Sequence, residues 1–222
     1  MQAETEISAR AVTAIPLAKV TINLLLRIEF FSDVLYARMV QRTGGWAVPI
    51  PVEKPADMNE AEYLKLRGYR TEREGQNDFQ IRVVGIMTLY FAILTSNVPQ
   101  PLPPLWTLPR FLAYFTRLMW TPILLRSDLA MQIIAGMFIV YLLFSSEYLL
   151  VAFLVVGGLH ARRLWGDQFV KPLEMLYKGI QETSDTPSGS HEVNPKQIGA
   201  SGPEGRSSRV KVLLEIEKVM GI

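Results

Sequence analysis

Two arginines are placed where a protein could bind phosphate. Arg38 and Arg42 are four residues apart in the helix-like segment DVLYARMVQRTG, so their side chains share one face. The planar guanidinium group binds phosphate through two parallel hydrogen bonds, and several converging guanidinium groups suit a ligand that carries several phosphates. The same spacing is also typical of a solvated helix face, since Lys and Arg are mostly exposed. Taken alone, the pair is compatible with either role.

The residue types that usually carry catalysis are absent or scattered. The chain has no cysteine, which excludes thiolate metal sites and thiol nucleophiles. His160 and His191 are far apart and lack the spacing of metal ligands. The formal net charge is +2, so no basic field indicates direct, sequence-specific nucleic-acid binding, and any basic site must be a local cluster. We therefore predict that the chain is not an enzyme. The loop glutamates are interpreted as solvated surface: Glu60, Glu62, Glu72 and Glu74.

The elements that would position these residues are helices. Ser32 is predicted to cap the second helix, Gly44 and Gly45 to end it, and Gly68 to end a short third one. The segment NVPQPLPPLW has four prolines and is predicted to be a rigid loop. No strand alternation appears, so the prediction is an all-α fold of stacked helical pairs. Apolar residues recur at helical spacing in residues 16–31, 32–42, 58–69, 79–95, 107–120, 168–182 and 207–221.

A strongly apolar run occupies the middle of the chain. From Leu129 to Leu159 it extends over 31 residues with one formal charge, Glu147. About 20 apolar residues suffice for a helix to cross a bilayer, so hydropathy predicts a membrane anchor. The lone Glu147 counts against a span, because an isolated charge inside a bilayer is costly. A buried helix of a soluble domain is a third alternative, and the run is long for one.

Residues 58–94 carry a more specific pattern. The segment MNEAEYLKLRGYRTEREGQNDFQIRVVGIMTLYFAIL has a short acidic helix, a Gly-aromatic pair, a loop, an arginine before Gly-Ile, and a Leu-aromatic pair before Ala-Ile. This ordered set resembles the signature region of the Gle1 family of mRNA-export factors. The resemblance extends to QAETEISARAVTAIPLAKVTINLLL and DVLYARMVQRTGGWAVPIP before it, and to LWGDQFVKPLEMLY and RVKVLLEIEKV after it. The signature positions are Glu62, Tyr63, Gly68, Tyr69, Arg82, Gly85, Ile86, Leu89, Tyr90, Ala92 and Ile93.

The resemblance implies an architecture and a set of partners. The family's domain consists of stacked antiparallel helical pairs of the HEAT or MIF4G-like kind, and this chain is expected to be an N-terminally truncated version of it. Family members bind the C-terminal RecA-like domain of a DEAD-box RNA helicase and activate its ATPase, with inositol hexakisphosphate as a tether. Contacts with an FG-repeat nucleoporin, with translation initiation and termination factors and with phospholipid are also implied. The implied location is the cytoplasmic face of the nuclear pore complex, and the cytoplasm.

The resemblance also assigns a candidate site. Arg38 and the Gln41-Arg42 pair fall on positions where fungal relatives carry the bases of an inositol hexakisphosphate pocket. Arg70 and Arg82 fall on two more such positions. Gln41 replaces a base found in some relatives, which would weaken the pocket, and Lys19 is a candidate of lower rank. The predicted inositol-phosphate-binding residues are therefore Arg38, Gln41, Arg42, Arg70 and Arg82, with no catalytic or metal-binding residue.

The family has no apolar span at this place, which suggests another interpretation of residues 136–155. If residues 137–154 or so are removed, SDLAMQIIA joins VGGLHARRLWGDQF to within a few residues, and this junction is similar to the family's passage between two helices. The codons at the start of the run can contain GTATGT, a common fungal splice donor, so we favour a retained intron over a membrane anchor. The predicted organisation is a helical domain over 1–182 with this insert, a disordered segment over 183–205, and a terminal helix of the same domain over 206–222.

Overall fold

The computed structural model of the chain describes residues 6–7, 13–44, 53–96, 98–122, 129–144, 151, 154–184 and 203–222, which form helices joined by loops and turns. No strand occurs in these ranges, so the predicted all-α class is confirmed. A 3₁₀ turn spans Pro104–Trp106, and a π-helical turn spans Leu154–Gly158. Within the same ranges, α1 to α9 span Ala14–Arg27, Phe31–Thr43, Glu60–Leu66, Gln76–Leu94, Leu108–Trp120, Leu129–Phe144, Leu159–Trp165, Asp167–Ser184 and Pro203–Met220.

The chain divides into two compact units, Met1–Met137 and Phe138–Ile222. The first unit contains α1 to α5 and the first part of α6, and the second contains α7 to α9. The boundary falls at the start of the segment that we interpret as an insert. α8 continues to Ser184 and α9 begins at Pro203. Disorder was predicted over residues 183–205: residues 183–184 and 203–205 belong to these helices, whereas residues 185–202 lie outside the described residues, and for them it stays a prediction.

α4 is the central helix of the first unit. α1, α2 and α5 all pack against it. Between Arg82 and Leu94, only Val84 of α4 is not buried. A helix that is apolar on all sides is typical of the middle of a core. α1 contributes a conventional buried face at three- and four-residue spacing, formed by Ala14, Ala18, Ile22 and Leu25.

α6 approaches α4 closely through Gly136. A Cβ atom at Gly136 would lie 3.1 Å from the hydroxyl of Thr88 and 3.3 Å from Cγ1 of Val84. One turn earlier, Nε2 of Gln132 donates to Oε1 of Gln80 at 3.0 Å. These contacts advance in the same direction along both helices, so α4 and α6 run parallel here. The intervening α5 must therefore return the chain, which gives the up-down-up order expected of stacked helical pairs.

The proline-rich loop before α5 is fixed by Trp106, whose side chain is fully buried. Its Nε1–H donates to Oγ of Ser32 at 3.0 Å, and its ring meets that of Tyr36 edge to face at 6.2 Å. The hydroxyl of Tyr90 donates to the carbonyl of Leu105 at 3.1 Å. These contacts attach the loop to α2 and α4, as expected for a rigid connector.

The start of α2 differs from the prediction. The helix begins at Phe31, and Phe30 precedes it in the left-handed region with φ 62°. No side chain caps this end. The hydroxyl of Ser32 accepts the indole N–H of Trp106 instead, so the capping role predicted for Ser32 is wrong. The tertiary hydrogen bond from Trp106 thus replaces the local capping hydrogen bond that Ser32 could have formed with the helix backbone.

The apolar run from Leu129 to Leu159 is described only in part. α6 covers its first 16 residues, and residues 145–150 and 152–153 lie outside the described ranges. Among the helices that are described, none combines the length and the apolarity needed to cross a bilayer.

In the second unit, α8 and α9 pack against each other. The hydroxyl of Tyr177 on α8 donates to Oε1 of Glu217 on α9 at 2.6 Å. Nη1 of Arg162 on α7 donates to the carbonyl of Val219 at 2.7 Å, which satisfies an acceptor at the C-terminal end of α9. The buried side chains of this packing follow helical spacing: Phe169, Leu173, Leu176 and Ile180 on α8, and Val212, Ile216 and Val219 on α9.

Candidate polyanion-binding site

Two glycines bring the C-terminal ends of α2 and α3 together. Gly44 ends α2 with φ +65°, and Gly68 follows α3 with φ +85°. A Cβ atom at Gly44 would fall on the carbonyl group of Arg67, and one at Gly68 would lie 2.6 Å from the backbone nitrogen of Gly44. The helix ends therefore meet backbone to backbone, as only glycine permits. Both glycines end their helices as predicted.

A pocket of about 430 Å³ opens beside this contact. One wall comes from the last two turns of α2, a second from one face of α3, and the third from the loop that follows α3. This loop leads directly into α4, so the central helix of the unit also anchors the pocket. The lining residues are Arg38, Gln41, Arg42, Ala61, Glu62, Leu64, Lys65, Gly68, Tyr69, Arg70, Thr71 and Glu72.

Four cations from three segments line the pocket. On α2, Arg38 is exposed and its Nη1 donates to Oε1 of Gln41 at 2.6 Å. Arg42 lies on the same face one turn later, and only 8% of it is exposed. Lys65 of α3 and Arg70 of the loop are exposed. Cations that are distant in sequence thus converge on one space, which a solvated helix face alone would not produce.

Two carboxylates belong to the same lining. Glu62 is engaged in a capping box: its backbone N–H donates to Oδ1 of Asn59 at 2.9 Å, and its Oε2 accepts from the Asn59 N–H at 3.4 Å. Glu72 is exposed on the loop. With four cations and two carboxylates, the lining has a formal excess of two positive charges.

Arg82 lies behind the pocket and is not among its lining residues. It is 4% exposed. Its Nε donates to Oε1 of Glu74 at 2.7 Å and its Nη2 to Oε2 at 2.9 Å. Nη1 also donates to the carbonyl of Arg42 at 2.8 Å, and Nη2 to that of Gly68 at 2.9 Å. These bonds direct the guanidinium inward, so direct contact of Arg82 with a ligand does not fit this geometry.

Glu74, the ion-pair partner of Arg82, is stabilised in its ionised form. Burial raises the pKa of Glu74, but the hydrogen bond from Arg82 and the one from the backbone N–H of Arg70 at 2.6 Å outweigh it. The pKa of Glu74 therefore lies below its ordinary value. The side chains of Arg82 and Glu74 are 5% and 9% exposed, so this is a buried ion pair.

Stacked rings extend from the ion pair to the pocket. The ring of Tyr69 lies parallel to that of Phe79, with centroids 4.2 Å apart and an interplanar angle of 6°. The guanidinium of Arg67 lies 5.6 Å from the Tyr69 centroid, and that of Arg82 lies 5.4 Å from the Phe79 centroid. Tyr69 also lines the pocket. The stack thus fixes the loop on α4 through cation–π and ring contacts.

This arrangement is suited to binding an anion with several phosphate groups. Guanidinium forks bind phosphate oxygens in pairs, and Lys65 adds a mobile point charge. In the ranges that the structure describes, no group of three or more His, Cys, Asp or Glu residues could hold a metal ion. The lining side chains are therefore suited to recognising a negatively charged ligand.

The structure brings together four of the five predicted site residues: Arg38, Gln41, Arg42 and Arg70. Arg82 supports the pocket from behind, and Lys19 is not in the lining. Sequence reasoning missed Lys65, although a signal existed. Ala61, Leu64, Lys65 and Gly68 follow three- and four-residue spacing on one helix face, and this face leads to the Gly68-Tyr69 pair.

Fold and pocket together define a class, an all-helical protein of stacked helices with a cationic pocket at the end of its second and third helices. A family model described as GLE1-like protein matches residues 1–177 of the 222. The chain belongs to this family, and the resemblance inferred from residues 58–94 is confirmed.

Two solved structures share the fold. Both come from S. cerevisiae: a variant Dbp5 C-terminal domain bound to Gle1 and IP6, and the same domain bound to a variant Gle1 and IP6. The matches have TM-scores of 0.51 and 0.53 and sequence identities of 19% and 20%, respectively. Each covers 82% of this chain and 59% of the matched chain, so this chain spans about three fifths of that length. No curated protein gives a significant match.

Proposed function

We propose that the chain binds inositol hexakisphosphate in the pocket formed by α2, α3 and the following loop. The observation that carries this proposal is the convergence of Arg38, Arg42, Lys65 and Arg70 on one space in a GLE1-like chain. A fold relative is found in complexes with IP6, which supports the choice of ligand.

We extend the proposal to a helicase partner by a charge argument. Six phosphate monoesters carry on the order of nine negative charges near neutral pH. The lining provides a formal excess of only two positive charges. A bound ligand would therefore present unneutralised phosphate to solvent, where a second basic protein surface could bind it. The fold relatives are bound to a Dbp5 C-terminal domain, so we propose the corresponding domain of a DEAD-box RNA helicase as the partner.

In this proposal the protein is a regulator and not an enzyme. It activates the ATPase of the helicase during remodelling of exported messenger ribonucleoprotein. Its proposed location is the cytoplasmic face of the nuclear pore complex and the cytoplasm. An FG-repeat nucleoporin and translation factors are further proposed partners, and pull-down with each purified partner would test them.

The first test is titration calorimetry with inositol hexakisphosphate. The double variant Arg38→Glu, Arg42→Glu should bind at least roughly a hundredfold more weakly, because it removes two charge-assisted contacts of about 1.5–3 kcal/mol each. The matched control is Arg110→Glu, Arg117→Glu, which changes the net charge equally at two exposed positions of α5 outside the pocket. This control should bind like the wild-type chain. Equal weakening in both variants would mean that only the overall charge matters and that the pocket assignment is wrong.

The second test measures the helicase. The ATP hydrolysis rate of a Dbp5-like helicase should rise when the chain and inositol hexakisphosphate are added together, and rise less with the pocket variant. If the ligand binds but the rate is unchanged, the chain is a ligand-binding protein without the proposed regulatory role.

A further inference from the structure

The ion pair between Arg82 and Glu74 has an unusual set of partners. Beyond each other, these two buried side chains form hydrogen bonds with the main chain at three positions. Arg82 donates to the carbonyls of Arg42 and Gly68, and Glu74 accepts from the N–H of Arg70. All three of these residues line the pocket. The pair is therefore bonded to each side of the site without being in it.

These bonds matter most for Arg42 and Arg70, the two pocket cations whose backbone is least constrained by regular helical hydrogen bonds. Arg42 lies at the end of α2, where the last carbonyls have no partner within the helix. Arg70 lies in a loop that crosses from α3 to α4, where the backbone has no helical hydrogen bonds to define it. One guanidinium and one carboxylate fix both backbones relative to α4. Arg38, by contrast, lies within a regular helix and needs no such support.

We infer that Arg82 and Glu74 are positioning residues for the polyanion pocket. They hold the main chain of Arg42 and Arg70 so that these side chains converge before the ligand arrives. This inference rests on the proposed binding of inositol hexakisphosphate. Like-charged side chains repel one another in the empty pocket, so a preformed backbone lowers the cost of ordering them on binding.

The fork of Arg82 is what this role requires. A guanidinium offers five N–H donors in a fixed plane, and four hydrogen bonds from Arg82 lead to Glu74, Arg42 and Gly68. A lysine at the same place keeps the charge but cannot reach these acceptors at once. Arg82→Lys therefore keeps the positive charge at this position and removes the set of hydrogen bonds that orients the two backbones.

The experiment compares affinity with stability. Arg82→Lys should weaken inositol hexakisphosphate binding in calorimetry about tenfold or more, the range seen when groups that orient ligand-binding residues are lost. Hydrogen exchange of the Arg70 amide should accelerate in this variant, since Glu74 loses the partner that holds it beside that amide. The control is Leu118→Ala, a fully buried position of α5 outside the pocket, which lowers the unfolding temperature without touching this network. It should leave the affinity unchanged.

The possible results distinguish the positioning role of Arg82 and Glu74 from the proposed binding of inositol hexakisphosphate. If Arg82→Lys remains folded by circular dichroism and binds like the wild-type chain, the positioning role is refuted while the pocket stands. If Arg82→Lys does not fold, Glu74→Asp, which keeps the charge and shortens the side chain, is measured in the same way, and unchanged affinity there refutes the role. If the wild-type chain does not bind the ligand, the proposed function fails, and the inference fails with it.

Discussion

The contact between Gly44 and the end of α3 provides the sharpest test of how this site is built. We predict that Gly44→Ala separates α2 from α3 and so opens the pocket. Two effects add up in this substitution. The backbone is left-handed at φ +65°, and the new methyl group would coincide with the carbonyl group of Arg67.

The two effects have different sizes. A left-handed backbone costs a residue with a side chain roughly 1–2 kcal/mol. Inserting a methyl group into a packed contact costs about 1–3 kcal/mol more, and the neighbour here is main chain, which cannot rotate away. We therefore expect the free energy of unfolding of the first unit to fall by about 2–5 kcal/mol.

Two other glycines separate these contributions. Gly166 has φ +52° and ψ −130° with no atom within 4 Å of a Cβ, so Gly166→Ala should cost only a backbone part, which in this sparsely populated region is about 1–3 kcal/mol. Gly179 lies inside α8 in open space, so Gly179→Ala should stabilise by about 0.5–1 kcal/mol. Because the chain divides into two compact units, opening free energies are measured by hydrogen exchange of core amides in the unit that carries each change.

Ligand binding supplies the second readout of the glycine series. Gly44→Ala should lower the affinity for inositol hexakisphosphate, whereas Gly166→Ala and Gly179→Ala should leave it unchanged. The reasoning is refuted if Gly44→Ala costs less than about 2 kcal/mol, because the methyl group would then have found room against the Arg67 backbone. It is also refuted if Gly44→Ala destabilises the unit while the affinity stays at the wild-type value.

Three further predictions concern charge and chain length. Glu72→Gln removes one carboxylate from the pocket lining and should raise the affinity for inositol hexakisphosphate about threefold to tenfold in calorimetry, with a smaller gain at high salt. Since the folded state holds the pKa of Glu74 below its ordinary value, its ion pair contributes full stability above the unfolded-state pKa and loses it as the pH falls through the folded-state pKa. Urea unfolding from roughly pH 6 to pH 3 should show this loss in the wild-type chain and a weaker one in Glu74→Gln. Deletion of residues 138–153 should leave the affinity within about twofold of wild type, because the pocket lies wholly within residues 38–72; a larger loss would show that the pocket depends on the later segment.

Much of the fold could be predicted because its signals are local. Glycine ends α2 and α3 at the expected positions, and the apolar spacing of α1 and α4 gives their core faces. α4 begins three residues before the predicted Phe79, since polar residues complete its first turn without contributing to the apolar pattern. The role of Ser32 could not be predicted, because its partner is 74 residues away in sequence.

Residue spacing indicated the site only where its residues share one helix, and the loop residue Arg70 was predicted from the family resemblance. The spacing of Arg38 and Arg42 indicates a common face, which the structure confirms. The position of Arg82 depends instead on which side of α4 faces the end of α2. Because α4 is apolar on nearly every side, its sequence does not indicate that direction. Two of the acceptors of Arg82 are main-chain carbonyls. Every residue type has such a carbonyl, so the sequence does not indicate which ones Arg82 contacts.

The close approach at Gly136 has a consequence for how this family can diverge. The first compact unit ends at Met137, one residue beyond that contact. The boundary lies inside α6, so mutations that lengthen or shorten the gene after codon 137 alter the second half of this helix and the segment that follows it. They act downstream of every residue that lines the pocket. Selection can preserve the ligand chemistry of the first unit while the length of the following segment drifts between lineages.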